Sequence, residues 1–227
     1  MKITKMLLPI SHRNRTKQVM RPKYITIHNT GNSSKGANAL MHAKYIKNQQ
    51  HRYVSWHYTI DDQYIIQHVP SNEVAWHAGD GAMGLGNISS IGIEMCQHDG
   101  VDFEQVIQNT IELVRLLMKQ YDIPIHRVVP HSHWKQTSCP KFLLEYMSFD
   151  QFRAMIIEIQ MNKPKYIKVT TQDLWVYDKP QWNARYKIVH KGEVFTIKNK
   201  LSVDGYTMYE LKSGLFITGA KEYIELI

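Results

Sequence analysis

Tyr24-Ile25-Thr26-Ile27-His28 is the stretch from which the fold of most of this chain is read. Its polar and apolar side chains alternate, which predicts a strand. On a period of two, Ile25 and Ile27 face one way and Thr26 and His28 the other, so a histidine ends the strand on its polar face. A second predicted strand repeats the arrangement: Ile91, Ile93 and Met95 share one face and Glu94 takes the other. Between them, Ala39 to Gln49 carries Leu40, Met41, Lys44, Tyr45 and Asn48 at helical spacing. Trp56 to Ile60 and Tyr64 to Val69 read as a hairpin around Asp61-Asp62-Gln63. Asp102 with Gln105 resembles a capping box that opens an amphipathic helix to Tyr121, ended by Ile123-Pro124. The face of that helix carries Val106, Ile107, Ile111, Val114, Leu117 and Met118. Ser148 with Gln151 caps a further helix bearing Phe152, Met155, Ile156 and Ile159. Strands alternating with helices predict an α/β layer domain, a mixed central sheet flanked by helices. Residues 1–23 read as basic and irregular.

Near Met161-Asn162-Lys163-Pro164-Lys165 the pattern changes. Beyond Tyr166 there are only short β-type runs, from IKVT and LWVY to LFIT and YIEL, separated by turns such as Asp204-Gly205 and Ser213-Gly214. About six or seven short strands in roughly sixty residues predict a small all-β barrel. The expected domains are therefore 1–162 and 166–227.

The totals narrow the function class. At 227 residues with 43% apolar composition and five Trp, the chain supports real cores and is not a disordered one. A net charge of +8 favours polyanionic partners: nucleic acid, anionic lipid or a wall bearing teichoic acid. Lys and Arg are dispersed along the chain, which ranks a nucleic-acid binder low, and none is expected as a partner. Two cysteines, Cys96 and Cys139, exclude a disulfide scaffold, and Cys96 reads as a buried hydrophobe. MKITKMLLPI begins like a secretion signal, but Pro9 interrupts a short apolar run and SHRNR follows without a cleavage site. No stretch is long enough to span a membrane, so no stable membrane insertion is expected. The expectation is synthesis in the cytoplasm and export by another route.

The strongest chemical constellation is His28, His131 and Cys139, with His133 competing with His131. Zinc takes imidazole and thiolate ligands tetrahedrally, and catalytic sites leave the fourth position open. Cys139-Pro140 is expected at a helix start, where the dipole favours the thiolate. The glycine-rich loop Gly79 to Asn87 precedes a strand instead of following one, which argues against a dinucleotide fingerprint.

Ile27-His28-Asn29-Thr30, Ala75-Trp76-His77-Ala78-Gly79-Asp80-Gly81, Ile91-Gly92-Ile93-Glu94 and Pro130-His131…Ser138-Cys139-Pro140 together resemble the zinc amidase family. That family includes phage T7 lysozyme, peptidoglycan recognition proteins and the amidase endolysins of Bacillus. The likeness covers about residues 20–160, with the motifs in the family's order. It implies one zinc per chain, held by His28, His131 and Cys139, with His131 preferred to His133 by its distance from the cysteine. It implies hydrolysis of the amide between N-acetylmuramic acid and L-alanine in the peptidoglycan of a Gram-positive wall. Glu94 is the candidate general base. His77, Trp76 and Gly79 are candidate substrate-binding residues, and Trp134 is a further candidate for flanking the groove.

The chain departs from the family in two places. Trp56 stands where T7 lysozyme and the recognition proteins carry a catalytic Tyr, which shifts proton transfer toward Glu94, as in the Bacillus-type endolysins. Thr137 stands where a Lys is common. Its hydroxyl can donate to the oxyanion but brings no positive charge, and Lys135 lies close by. The C-terminal part resembles bacterial SH3-like wall-binding domains, with Trp175, Tyr177, Trp182, Tyr206 and Tyr209 available to line a groove. Release through a holin pore, as for a phage endolysin, accounts for reaching the wall. The rival from another class is a non-catalytic peptidoglycan binder on the same fold, which is expected to have lost a ligand such as the cysteine.

Overall fold

The computed structural model describes residues 2–49, 51–161 and 166–227, with the side chains of 159–161 left aside. The chain forms two compact units, Met1–Ile159 and Gln160–Ile227. The sequence junction at 162–165 and the side chain of Ile159 lie outside the described residues.

The first unit is built on a six-stranded mixed sheet. Its strands are β1 (Ile3–Lys5), β2 (Tyr24–Asn29), β3 (Tyr58–Ile60), β4 (Ile65–Gln67), β5 (Ser90–Met95) and β6 (Val128–Pro130). They lie in the order β1-β4-β3-β5-β2-β6, and only the β3–β4 pair is antiparallel. The helices are α1 (Ala39–Asn48), α2 (Leu85–Ser89), α3 (Phe103–Tyr121), α4 (Lys141–Tyr146) and α5 (Phe149–Met161). Ile25, Ile27, Ile91 and Ile93 are fully buried in one core with Val106, Ile111 and Val114 of α3 and Phe152 and Ile156 of α5. Each such isoleucine contributes about 1.5–3 kcal/mol by leaving water. The opposite face is closed as well. Thr26 and His28 are buried, and Ala39 and Ala43 of α1 pack with Ile66 and Cys96. Central strands buried on both faces are what parallel pairing requires.

Several local elements differ from the sequence expectation. The predicted irregular N-terminus contains β1, which pairs parallel with β4. The rest of that segment is pinned by a largely buried ion pair, Arg15 Nε to Glu73 Oε1 at 2.8 Å. The glycine-rich loop holds the short helix α2 just before β5. The Asp102 side chain caps α3 by accepting from the Gln105 N–H, but the Gln105 side chain turns to Asn109 and does not complete the box. At α5 both arms form: Ser148 N–H donates to Gln151, and Gln151 N–H donates to Ser148. The chain leaves α3 through Asp122 in the left-handed region, φ 54°.

The second unit is all-β: β7 (Tyr166–Val169), β8 (Asp173–Tyr177), β9 (Arg185–His190), β10 (Val194–Val203), β11 (Tyr206–Leu211), β12 (Phe216–Thr218) and β13 (Ile224–Leu226). They form an antiparallel sheet in the order β13-β7-β10-β11-β12-β8-β9. Among the described residues the two edge strands do not pair, so the ladder is open where a closed barrel was expected. It still folds over one core, because Ile167, Val176, Val189, Leu211, Ile217 and Ile224 from six strands share a buried cluster. Tyr209 is 7% exposed and belongs to that core, which corrects its reading as a groove residue. Trp175 lies at the surface beside the Arg185 guanidinium. Trp182 and Tyr206 line a cavity of about 480 Å³, and Tyr177 meets Trp182 edge-on at 5.7 Å. No helix among the described residues is long and apolar enough to cross a membrane.

Candidate metal centre

Strand register assembles the site. In the β2–β5 pair His28 lies opposite Glu94, so the two side chains leave the same face as neighbours. His28 Nδ1 is 4.0 Å from Glu94 Oε1. On the other side β6 ends at Pro130 opposite Ile27 and delivers His131 beside His28, ring centroids 4.4 Å apart. The following loop closes on itself, Ser132 N–H donating to the Cys139 carbonyl at 3.1 Å. That closure brings Cys139 Sγ to 3.9 Å from His28 Nδ1. It is the physical content of the spacing between His131 and Cys139. The donor atoms of His28, His131 and Cys139 all lie within 4.8 Å of one another. A tetrahedral zinc shell sets such atoms about 3.5 Å apart, so this donor set fits the ion with small side-chain movements. His133 lies outside the cluster, edge-on to Trp134 with ring centroids 4.6 Å apart.

The hydrogen-bond network assigns the tautomers. The Ser90 carbonyl can only accept, so His77 Nε2, 3.1 Å away, carries a proton. His77 Nδ1 is then bare and accepts from His28 Nε2–H at 3.0 Å. His28 Nδ1 is left unprotonated and facing Cys139 and Glu94. His131 Nε2–H donates to the Ala78 carbonyl at 2.9 Å, which leaves its own Nδ1 bare. Neutral imidazoles with one oriented lone pair are what a metal needs. Burial favours the neutral form of all three rings: it lowers His28 well below its usual value, lowers His77 to about 3, and lowers His131.

His77 is therefore not a groove residue. It is 8% exposed, and both ring nitrogens are engaged beneath His28. Its place depends on Gly92, where any Cβ would come within 2.5 Å of the His77 ring. Asn87, which the sequence did not single out, holds the loop above by accepting from the His77 and Ala78 N–H groups at 2.9 Å each.

The thiol expectation is also corrected. α4 begins just after Pro140, yet burial, reinforced by the Glu94 carboxylate, pushes Cys139 up to about 12. One short helix does not overcome desolvation. A thiolate here requires a cation at the site. Burial likewise raises Glu94 to about 8.

The remaining candidates fall around this centre. Thr137 Oγ1 accepts from the Cys139 N–H at 3.3 Å. Lys135 is exposed but lies across Gly79, whose φ of +67° strains any side chain placed there. Trp76 and Gly79, with Tyr53, line a cavity of about 460 Å³. Trp134 packs on Tyr24 and donates to Thr26 Oγ1 at 2.8 Å, so it supports the sheet and does not flank a groove. Trp56 Nε1 is spent on Thr59. Cys96 is buried, as read from the sequence.

Comparison with known proteins sets this geometry in context. Residues 18–142 match the family described as N-acetylmuramoyl-L-alanine amidase, and residues 160–224 match a domain of unknown function, DUF5776. The chain is 50% identical over 144 residues to the N-acetylmuramoyl-L-alanine amidase CwlH of Bacillus subtilis (strain 168), covering 63% of this chain and 57% of that protein. It is 45% identical over 149 residues to the amidase XlyA of the same strain, covering 66% and 49%. The solved catalytic domain of XlyA superposes with a TM-score of 0.65 at 44% identity, over 69% of this chain and 99% of that one. The chain thus spans about half the length of the curated relatives it matches.

Proposed function

The chain belongs to the N-acetylmuramoyl-L-alanine amidase family, and from that premise we propose that it is a zinc hydrolase of peptidoglycan. The bond cut is the amide between the lactyl group of N-acetylmuramic acid and L-alanine. One observation carries this reading: two bare imidazole Nδ1 atoms and one sulfur converge beside a buried carboxylate that has an oxygen without a partner among the described residues. His28, His131 and Cys139 would hold one zinc ion, which supplies Lewis acidity at the scissile carbonyl and acidifies the attacking water.

The protein's own groups do the rest. Glu94 takes the proton from water and returns it to the departing amine. Thr137 has its oxygen turned to the Cys139 N–H, so its hydroxyl hydrogen is free to donate to the developing oxyanion. Lys135, lying across Gly79, adds positive charge at the same rim. Trp76 and Gly79 line a cavity for the substrate, while His77 orients His28.

The partner is the peptidoglycan of a Gram-positive wall, consistent with relatives from Bacillus, and the place of action is the extracellular wall. The C-terminal unit serves as an SH3-like wall anchor; its antiparallel sheet and the Trp182–Tyr206 cavity support that role. Removing residues 166–227 is expected to leave cleavage of soluble muropeptides intact and to reduce pelleting with intact walls several-fold. Undiminished pelleting would end the anchor reading.

The function is tested by product analysis of purified walls. New N-terminal alanine without new reducing sugar is expected, with one zinc per chain by elemental analysis and loss of turnover on chelation. A rise in reducing ends would mean a glycosidase.

A further inference from the structure

A cavity of about 450 Å³ opens beside Glu94 and shares no lining residue with the cavity at Trp76 and Gly79. Thr30, His42, Tyr45, Arg52, Trp56 and Glu94 contribute to its walls. Seven buried side-chain polar atoms lack a hydrogen-bond partner among the described residues, and three of them belong to residues that line this one cavity: Thr30 Oγ1, His42 Nε2 and Glu94 Oε2. Buried polar groups are almost always paired, so such a concentration marks a place where a ligand supplies the partners. His42 is 6% exposed and already bonds the Ala37 backbone through its ring, which leaves Nε2 as a bare acceptor just behind the cavity wall. Arg52 stands at the same cavity with no carboxylate paired to it among the described residues. Tyr45 and Trp56 give the cavity apolar wall.

We propose that this cavity receives the peptide leaving group, and that Arg52 selects stem peptides bearing a free carboxylate over their amidated forms. The inference rests on the amidase reading and on Glu94 as its base. Hydrolysis adds hydroxyl to the carbonyl carbon and breaks the C–N bond, and the proton lost by water must reach the departing nitrogen. A group within hydrogen-bond reach of both is required. Glu94 lines this cavity and not the one with Trp76, so the nitrogen side of the bond lies here. The acyl side, with its sugar, falls to the cavity where Tyr53 and Trp76 meet edge-on at 5.3 Å. A guanidinium facing a carboxylate gives a charge-assisted, bidentate contact that a carboxamide cannot match.

The test is binding, not turnover. The full chain is titrated by calorimetry with L-Ala-γ-D-Glu-L-Lys and with the counterpart in which the glutamate α-carboxyl is amidated. The acid is expected to bind about tenfold more tightly. Arg52→Gln should remove that preference by weakening the acid alone, and Arg52→Lys should restore part of it. In NMR spectra the peptide should shift resonances of Thr30 and His42 and leave those of Trp76 and Gly79 in place. Equal affinity of the wild-type chain for both peptides, a preference surviving in Arg52→Gln, or shifts centred on Trp76 would each overturn the proposal. Because neither readout needs catalysis, a failed amidase assay would leave this result standing, and the reverse also holds.

Discussion

Glu94→Gln is expected to lower kcat by about 10²–10⁴-fold while the protein keeps its fold and its metal. The substitution replaces one carboxylate oxygen by an amide of the same shape, on a strand whose neighbours Ile93 and Met95 are fully buried on the other face. His28, His131 and Cys139 are untouched, so zinc stoichiometry should not change. What disappears is the only group of the cluster able to accept a proton from water and give it up again. The pH profile makes the prediction sharper. Burial raises the Glu94 carboxyl to about 8, and a base works only when ionised. Turnover should therefore rise with pH through an acid limb below 8, and a cation held by His28, His131 and Cys139 would draw that limb lower. In Glu94→Gln the limb should vanish and the small residual rate should be flat. Wild-type-like turnover, or an acid limb persisting in the variant, would assign the proton to another group.

The residues show why some of this was legible in one dimension and some was not. Strand periodicity placed His28 and Glu94 on corresponding faces, because a period of two leaves a β-branched strand little choice. Whether those strands were neighbours was not readable, since pairing is a contact across 66 residues set by α3 docking behind both. The cluster of His28, His131 and Cys139 was visible through motif spacing, and the Ser132–Cys139 closure gives that spacing its cause. The second layer was not visible. His77 looks like a loop histidine in sequence. Its position beneath His28 depends on the missing Cβ of Gly92 and on the Ser90 carbonyl, which belong to β5. The Cys139 expectation failed for a related reason: a helix start can be read from Cys-Pro, but burial cannot, and burial decided the sign. β1 and α2 escaped because three and five residues are too few to carry a period.

That second layer makes the protein acid-sensitive. His57, His68 and His42 lie off the metal cluster and are almost wholly buried. His57 has both nitrogens committed, Nδ1 accepting from the Gly92 N–H and Nε2 donating to the Glu73 carbonyl, each at 2.9 Å. A second ring proton would be driven against the Gly92 N–H. His68 contacts the Thr59 hydroxyl at 2.9 Å and has His42 near it, and His42 in turn has His98 nearby. Burial lowers His57 and His42 to about 4 and His68 to about 3. The unfolded chain binds these protons near 6.5 and the folded chain refuses them until much lower pH. Their contribution is thus complete above pH 6.5 and is lost as pH falls from 6.5 toward 4. Each site loses at most about 1.4 kcal/mol per pH unit in that window. At pH 4.5 three sites remove several kcal/mol, a large fraction of the roughly 5–15 kcal/mol that holds a domain together. Thermal unfolding of the chelated protein should show a Tm lower by 10 °C or more at pH 4.5 than at pH 7.5, by an order-of-magnitude conversion. The imidazole signals of His57 and His68 should stay in the neutral range until the fold is lost. A Tm indifferent to pH across this window would show that these rings take up protons in place, and that the floor of the site is wetter and looser than its packing indicates.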